Sequence, residues 1–428
     1  MIRSLEGLRG VAALLVAVYH VYVYGKWGGA PAQWGVLAHA WLFVDLFFVI
    51  SGFVMASAYG DRLHAPAMLA GYMVRRFFRL YPLHVVTTAT VILAALAVQS
   101  AKWLLALGGL HLGTEQPFAI PFFDLDYLGL ELLLLQGVGI MRREIHNFPS
   151  WSISVEFWMY LFFGLSMLLV RTRWLRVAFS AAIVAACLVH FIAAWSSSQV
   201  PATLDVHGLP RGLLSFFLGV LVFQGWRWLR DRGGAQGARI ADADDERGTE
   251  ARGVESRTSP SDGRAVVLSL VQVGTLLLAL WLVGRQDLLG AWQLAIPFAF
   301  ALLVLALLPD RGAVAALLQA APLQWLGVHS YAIYLTHITV QTFLDWPGRT
   351  IPEPAKHLIG LLFVGAVLLL SMLAHRFVEV PWRERGKRIA AAIEAAADPG
   401  RIRPARSGAG PRSRSSSVVS PSQAAPDS

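Results

Sequence analysis

A chain of 428 residues in which 56% are hydrophobic and only 15% charged is too apolar for a soluble domain. Its net charge of +9 invites a nucleic-acid reading, but the arginines stand at the ends of apolar runs and in the tail, the pattern of loops facing an inner membrane leaflet. Cys187 is the single cysteine and sits inside an apolar run, which excludes disulfides, a zinc cluster and a thiol redox pair.

Runs long enough to cross a bilayer as helices are predicted at 8–25, 36–58, 80–104, 152–170, 177–196, 211–229, 265–284, 290–308, 327–346 and 358–377. The fold class is therefore an all-α, polytopic membrane protein of about ten spans. Arg3 and Arg9 precede the first run without a small-residue cleavage pattern, so it reads as a retained span and not as a signal peptide. A weaker stretch, 127–141, holds Glu131 and Gln136; it is either an eleventh span or a segment that enters the membrane and turns back. Charge decides between the two. If 127–141 does not cross, Arg62, Arg75, Arg76, Arg79, Arg171, Arg173, Arg176, Arg227 and Arg230 all face the cytoplasm, whereas a crossing would put 171–176 outside. Both termini are therefore expected in the cytoplasm. The polar segment 231–264 is expected to be a disordered cytoplasmic loop within a membrane body of residues 1–385, and 386–428 a basic, largely disordered tail.

Ionisable side chains inside spans are costly and are the first candidates for function. Arg9 and His20 are eleven residues apart, about three turns plus 20°, so they share a helical face with a rise of roughly 16 Å. That puts Arg9 near the inner surface and His20 deep in the membrane or toward its outer half. A histidine is the side chain best suited to deprotonate a hydroxyl near neutral pH; the structural alternative is a core histidine bonded to a neighbouring helix. In Pro149–Glu156, Ser152 and Glu156 are four apart and share a face. Glu156 would orient a histidine or bind a hydroxyl, or would simply mark a helix start. Arg75 and Arg79, one turn apart, could clamp phosphates through bidentate hydrogen bonds or anchor the inner interface. In Leu326–His337, Tyr331 and Tyr334 could form an aromatic belt, while His337 lies deeper along its span. The chain has no Walker loop, no His-Glu-x-x-His and no nucleophile elbow, which disfavours an ATP-driven pump, a zinc protease and a serine hydrolase. No metal site is expected.

The order of these pieces resembles the acyltransferase-3 family of integral membrane O-acyltransferases. The family's basic residue, ten residues, then histidine is matched by Arg9 and His20, and its second-span motif by Phe43–Phe53, with Phe43 where glycine is frequent. Arg75–Pro82 is similar to its R-R-x-x-R-L-x-P, Ser150–Glu156 to S-W-S-x-S-x-E, Gly327–His337 to its late tyrosine-histidine block, and Glu379–Trp382 to E-x-P-aromatic. The resemblance implies transfer of an acyl group, acetyl being commonest, from acyl-CoA as co-substrate, with no bound cofactor. The acceptors it implies are surface polysaccharides, lipid-linked saccharides or, in some members, secondary metabolites, and the location is the bacterial inner membrane. It implies catalytic roles for His20, Glu156, Arg9 and Ser152, binding of CoA phosphates by Arg75 and Arg79, and adds Asp45, Ser51, Tyr331 and His337 as further candidates. No esterase-like domain is expected after the last span. A transporter or flippase of lipid-linked sugars, with polar residues lining a pathway, is the alternative.

Overall fold

The computed structural model describes residues 2–24, 27–109, 125–140, 146–196, 204–246, 260–285, 293–352 and 354–397. Among them there is no strand, in keeping with a chain whose backbone must satisfy itself inside hydrocarbon. The principal helices are α1 (Arg3–Tyr19), α2 (Phe43–Tyr59), α3 (Pro66–Leu107), α4 (Leu125–Leu132), α5 (Trp151–Leu169), α6 (Arg173–Ser196) and α7 (Leu204–Glu246). They are followed by α8 (Pro260–Gly284), α9 (Ala295–Leu307), α10 (Ala313–Leu318), α11 (Ala321–Thr350), α12 (Ala355–Ala374) and α13 (Val380–Ala397). Two wide π-helical turns interrupt this regularity, at His20–Tyr24 and at His375–Glu379.

Eight helices among the described residues are long and apolar enough to cross a membrane. Two of the ten predicted spans differ. The run at 290–308 is the 13-residue α9, and 327–346 lies in α11, whose hydropathy is lowered by His329, Ser330, Thr336, His337, Thr339 and Gln341. Packing explains why so polar a helix is tolerated. α11 lies against α1, α3 and α12, and Ser330, Thr336 and His337 are buried among them. At its closest approach to α1 a side chain has no room: a Cβ on Gly10 would come within 2.6 Å of the Leu326 carbonyl carbon. Close backbone contact between small residues is a common basis of helix association in lipid. Gly10→Val is expected to destabilise the detergent-solubilised protein by about 1–3 kcal/mol through overpacking, read as a lowered thermal midpoint.

The stretch 127–141 does not form a spanning helix. α4 has eight residues, about 12 Å, against roughly 30 Å of hydrocarbon. The chain then turns at Leu134, which adopts φ 57°, a conformation that bulky side chains avoid. Its carbonyl accepts hydrogen bonds from Ser154 Oγ at 2.5 Å and Trp158 Nε1 at 2.7 Å, so α5 holds the strained turn in place. Residue 141 lies outside the described residues.

The segment expected to be a disordered loop at 231–264 is helical at 231–246, as the end of α7, and again from 260, as the start of α8; 247–259 lie outside the described residues. Its alanines, arginines and glutamate extend a helix that the span has already nucleated. The predicted tail likewise begins as helix. α13 continues past residue 385 to Ala397 and packs along α3, with Trp382 stacked on Phe78 at 5.8 Å; 398–428 lie outside the described residues. Charged pairs tie the helix ends. Asp61 joins Arg176 and Arg227, each at 2.7 Å; burial acts to raise the Asp61 carboxyl, but the two guanidinium groups outweigh it and hold it below its ordinary value. Asp310 accepts the orphan amides of Arg3 and Ser4 at 3.1 and 2.9 Å, capping α1 from a distant loop.

Candidate active site

The polar faces of α1, α2, α5 and α11 converge on a cavity of about 40 Å³, enough for two or three waters or a small acyl group. Arg9, Ser51, Ser152, Glu156, Tyr331 and Tyr334 line it, with Phe47 and Phe48 supplying an apolar wall. Five of the residues expected at a site are thus brought together from four helices far apart in the chain. Tyr331 and Tyr334 are buried and form no interfacial belt.

Glu156 is held rather than free. Its Oε1 accepts from Ser51 Oγ at 2.7 Å and from the Tyr160 hydroxyl one turn along α5. Tyr160 in turn stands beneath the guanidinium of Arg76 at 5.7 Å. Ser152 Oγ donates to the Tyr334 hydroxyl at 2.9 Å and the Tyr334 hydroxyl donates to the Pro149 carbonyl at 3.0 Å, fixing the cavity wall on the α5 entry. The Tyr331 hydroxyl donates to the Leu80 carbonyl at 2.6 Å, and the Arg79 guanidinium lies 4.9 Å from its ring centre.

His20 lies beyond Tyr334, at the start of the π-helical turn, and is only 4% exposed. Such turns in a helix are frequent at functional sites. Its Nδ1 is 2.8 Å from the Val16 carbonyl, which only accepts, so the proton resides on Nδ1 and Nε2 carries the lone pair. The His20 ring is held by its own helix, and the Glu156 Oε1 holds Ser51 and Tyr160. His337 packs against His20 with ring centroids 4.8 Å apart, and Tyr334 touches His337 at 6.0 Å. Two imidazoles and the cavity thus form one continuous polar stripe.

The other expected residues lie outside this stripe. Asp45 is 2% exposed and makes a bidentate pair with Arg211 at 2.7 and 2.8 Å, with Ser215 as a third donor. Arg75 is paired with Glu394 and Arg79 with Glu379, so both arginines expected to grip phosphate already face carboxylates of the last helices. The positive charges of Arg9, Arg76 and Arg383 also act on Arg79, giving four guanidinium groups in one region. Sequence reasoning did not single out Tyr160, Arg76, Arg383 or Arg211. Tyr160 stands four residues after Glu156, a spacing that could have flagged it; the arginines carry no signal that separates them from ordinary inner-face anchors. It noted Glu131 only as a blemish in a weak span. Glu131 is fully buried and gathers His146 Nδ1 at 2.8 Å, Thr88 and Ser150 hydroxyls at 3.3 Å and the Asn147 amide at 3.4 Å. It anchors residues 146–150 over the site, where Phe148 meets the His20 ring at 6.1 Å. No group of three or more His, Cys, Asp or Glu suited to a metal occurs among the described residues.

Comparison with known proteins places this arrangement. A family model described as an acyltransferase domain matches residues 2–376. Protein 2 in the picA locus of Rhizobium radiobacter is 43% identical over 86 residues, 20% of this chain and 41% of that protein. BcsY of Komagataeibacter xylinus, a membrane-bound transacylase by designation, is 26% identical over 389 residues, 88% of this chain and 82% of that protein. YrhL of Bacillus subtilis, a peptidoglycan O-acetyltransferase by designation, is 23% identical over 405 residues, 90% of this chain and 56% of that protein. The chain thus spans about half the length of two of these three. No solved structure matches it.

Proposed function

Because the chain belongs to the acyltransferase-3 family, we propose that it is an inner-membrane O-acyltransferase that moves an acetyl group from cytoplasmic acetyl-CoA to a hydroxyl of a carbohydrate. The observation that carries this reading is the stripe itself. A region of four guanidinium groups adjoins a cavity lined by Arg9, Ser51, Ser152 and Glu156, and the cavity leads to the His20–His337 pair. Acetyl-CoA is anionic and made inside the cell, so Arg76 and Arg383 suit the donor's phosphates, while the expected Arg75 and Arg79 would reach them only by giving up Glu394 and Glu379. Both termini would face the cytoplasm on this scheme. The cavity holds an acetyl group but no sugar, so the acceptor would meet the acyl carbon from the His20 side.

In the reaction, the acceptor oxygen bonds to the acetyl carbonyl carbon while its proton passes to His20 Nε2. The thioester C–S bond breaks, and the CoA thiolate takes the proton. Arg9 would stabilise the negative charge that develops on the carbonyl oxygen, worth most in a site shielded from water. Glu156, with Ser51 and Tyr160 on its oxygens, would hold the cavity's polar floor, and Ser152 would act through Tyr334. YrhL's designation supports acetyl as the group and a glycan as the acceptor.

The test is ester-linked acetate on extracted cell-surface glycans after deletion of the gene. Acetate is expected to fall to background in one glycan fraction and to return with the wild-type gene. Unchanged acetate in every fraction would overturn the carbohydrate acceptor, and loss of glycan export without loss of acetate would favour a transporter.

A further inference from the structure

We propose that Val44, Phe47, Phe48 and Ile153, the apolar end of the cavity, set which acyl group the protein accepts: a short, uncharged one, with butyryl and succinyl excluded. This rests on the proposed acyl transfer in taking the cavity's occupant to be the acyl end of the donor.

The cavity has two unlike ends, and contacts between helices fix both. Along α2 its lining reads Val44, Phe47, Phe48 and then Ser51, one helical face that rises roughly 10 Å. Ser51 is bonded to Glu156 at 2.7 Å, and Phe48, three residues earlier, meets Trp151 edge to face at 6.2 Å, so α2 and α5 run in the same direction beside the cavity. On α11, Tyr334 packs on Phe47 at 6.0 Å and takes the Ser152 hydroxyl at 2.9 Å, while Tyr331 lies one turn earlier under Arg79. Arg76, one turn before Arg79, stands over Tyr160, which is one turn past Glu156. The Ser51–Glu156 end is therefore the arginine end, from which an anionic donor would enter, and the apolar residues of α2 form the other.

That far end offers an acyl tail apolar contact and little room. Val44, Phe48 and Ile153 are 4, 2 and 3% exposed and belong to the buried core, and Phe48 is backed by Trp151. A wall of this kind is close-packed, so each added methylene must displace side chains already in place. An acetyl methyl can rest against it with the carbonyl oxygen toward Arg9, whereas the two further methylenes of butyryl overfill a cavity of about 40 Å³. The two hydroxyls at this end are already spent, Ser152 donating to Tyr334 and Tyr334 to the Pro149 carbonyl at 3.0 Å. A succinyl carboxylate would arrive there with no donor to meet it, a costly state for a buried charge.

The experiment measures binding of acetyl-, butyryl- and succinyl-CoA to the full chain in nanodiscs by titration calorimetry. Wild type is expected to bind butyryl- and succinyl-CoA at least tenfold more weakly than acetyl-CoA, a methylene in a tight apolar pocket being worth about ten- to 200-fold. Phe48→Ala should raise the butyryl-to-acetyl affinity ratio at least tenfold, and the smaller cut Val44→Ala at least threefold, while succinyl-CoA stays weak in both because the new space is apolar. The ratio is taken on one sample and does not depend on how much of it is folded; if Phe48→Ala cannot be recovered, Val44→Ala decides. Equal affinity of wild type for acetyl- and butyryl-CoA, or ratios unchanged in the variants, would overturn the assignment. Transfer is followed separately, as CoA thiol released on adding glycans extracted from the deletion strain. Selective binding with no transfer would sink the enzymatic reading and leave the size limit standing. Transfer with unchanged donor ratios in both variants would do the reverse.

Discussion

His20→Ala, inserted at wild-type level, is expected to transfer acetyl about 10²–10⁴-fold more slowly than wild type, the range for loss of a positioned general base. The geometry makes the expectation specific. The Val16 carbonyl fixes the proton on Nδ1, which leaves the lone pair on Nε2. His337 cannot simply substitute, because its ring is tilted 43° from that of His20 and sits on another helix. The KM for acetyl-CoA should change little, since the arginines proposed to hold its phosphates are untouched. A variant that is fully inserted yet transfers at near wild-type rate would remove His20 from the chemistry. If His20 instead carries the acyl group, Nε2 bonds the carbonyl carbon as CoA thiolate leaves. Rapid quenching with labelled acetyl-CoA and no acceptor would then recover label on wild-type protein and none on the alanine variant.

The second large effect is on stability. Asp45→Ala is expected to cost about 3–5 kcal/mol, because it leaves the Arg211 guanidinium buried without its counter-charge. The loss should appear as a lowered thermal midpoint and poor recovery from detergent, whatever the activity. The double variant Asp45→Leu/Arg211→Leu removes both charges and should regain most of the loss, since a buried ion pair is often no better than apolar residues of similar volume. Asp45 as a reacting group predicts another pattern, a stable single variant that fails only in transfer. The two Asp45 oxygens already take three donors, from Arg211 twice and Ser215 once, which favours the stability outcome.

What could be read from the residues alone follows from what membranes penalise. Spans were legible because hydrocarbon tolerates so few charges, and Arg9, His20 and Glu156 stood out for the same reason. Helix periodicity placed Ser152 and Glu156 on one face, and that face lines the cavity. Pairing across helices was not legible. Nothing in the sequence joins Asp45 to Arg211, 166 residues away, or Arg75 to Glu394, 319 away. The role of 125–150 was also hidden, since α4 is too short for a clear period and its key turn rests on a left-handed Leu134. The segment 231–246 misled because composition reports the lack of a core and says nothing of a helix extended from a neighbouring span.

The last helix bears on how the protein is handled at the bench. The family match ends at residue 376, and a truncation or reporter fusion placed there would discard Glu379, Glu394 and Trp382. Arg75 and Arg79 would lose their carboxylates, and Phe78 the indole stacked on it. A clone trimmed to that boundary would carry surplus positive charge and an uncovered aromatic on α3, and a dead or sticky product would say nothing about the chemistry. The smallest unit worth expressing ends after Ala397, and tags belong beyond it.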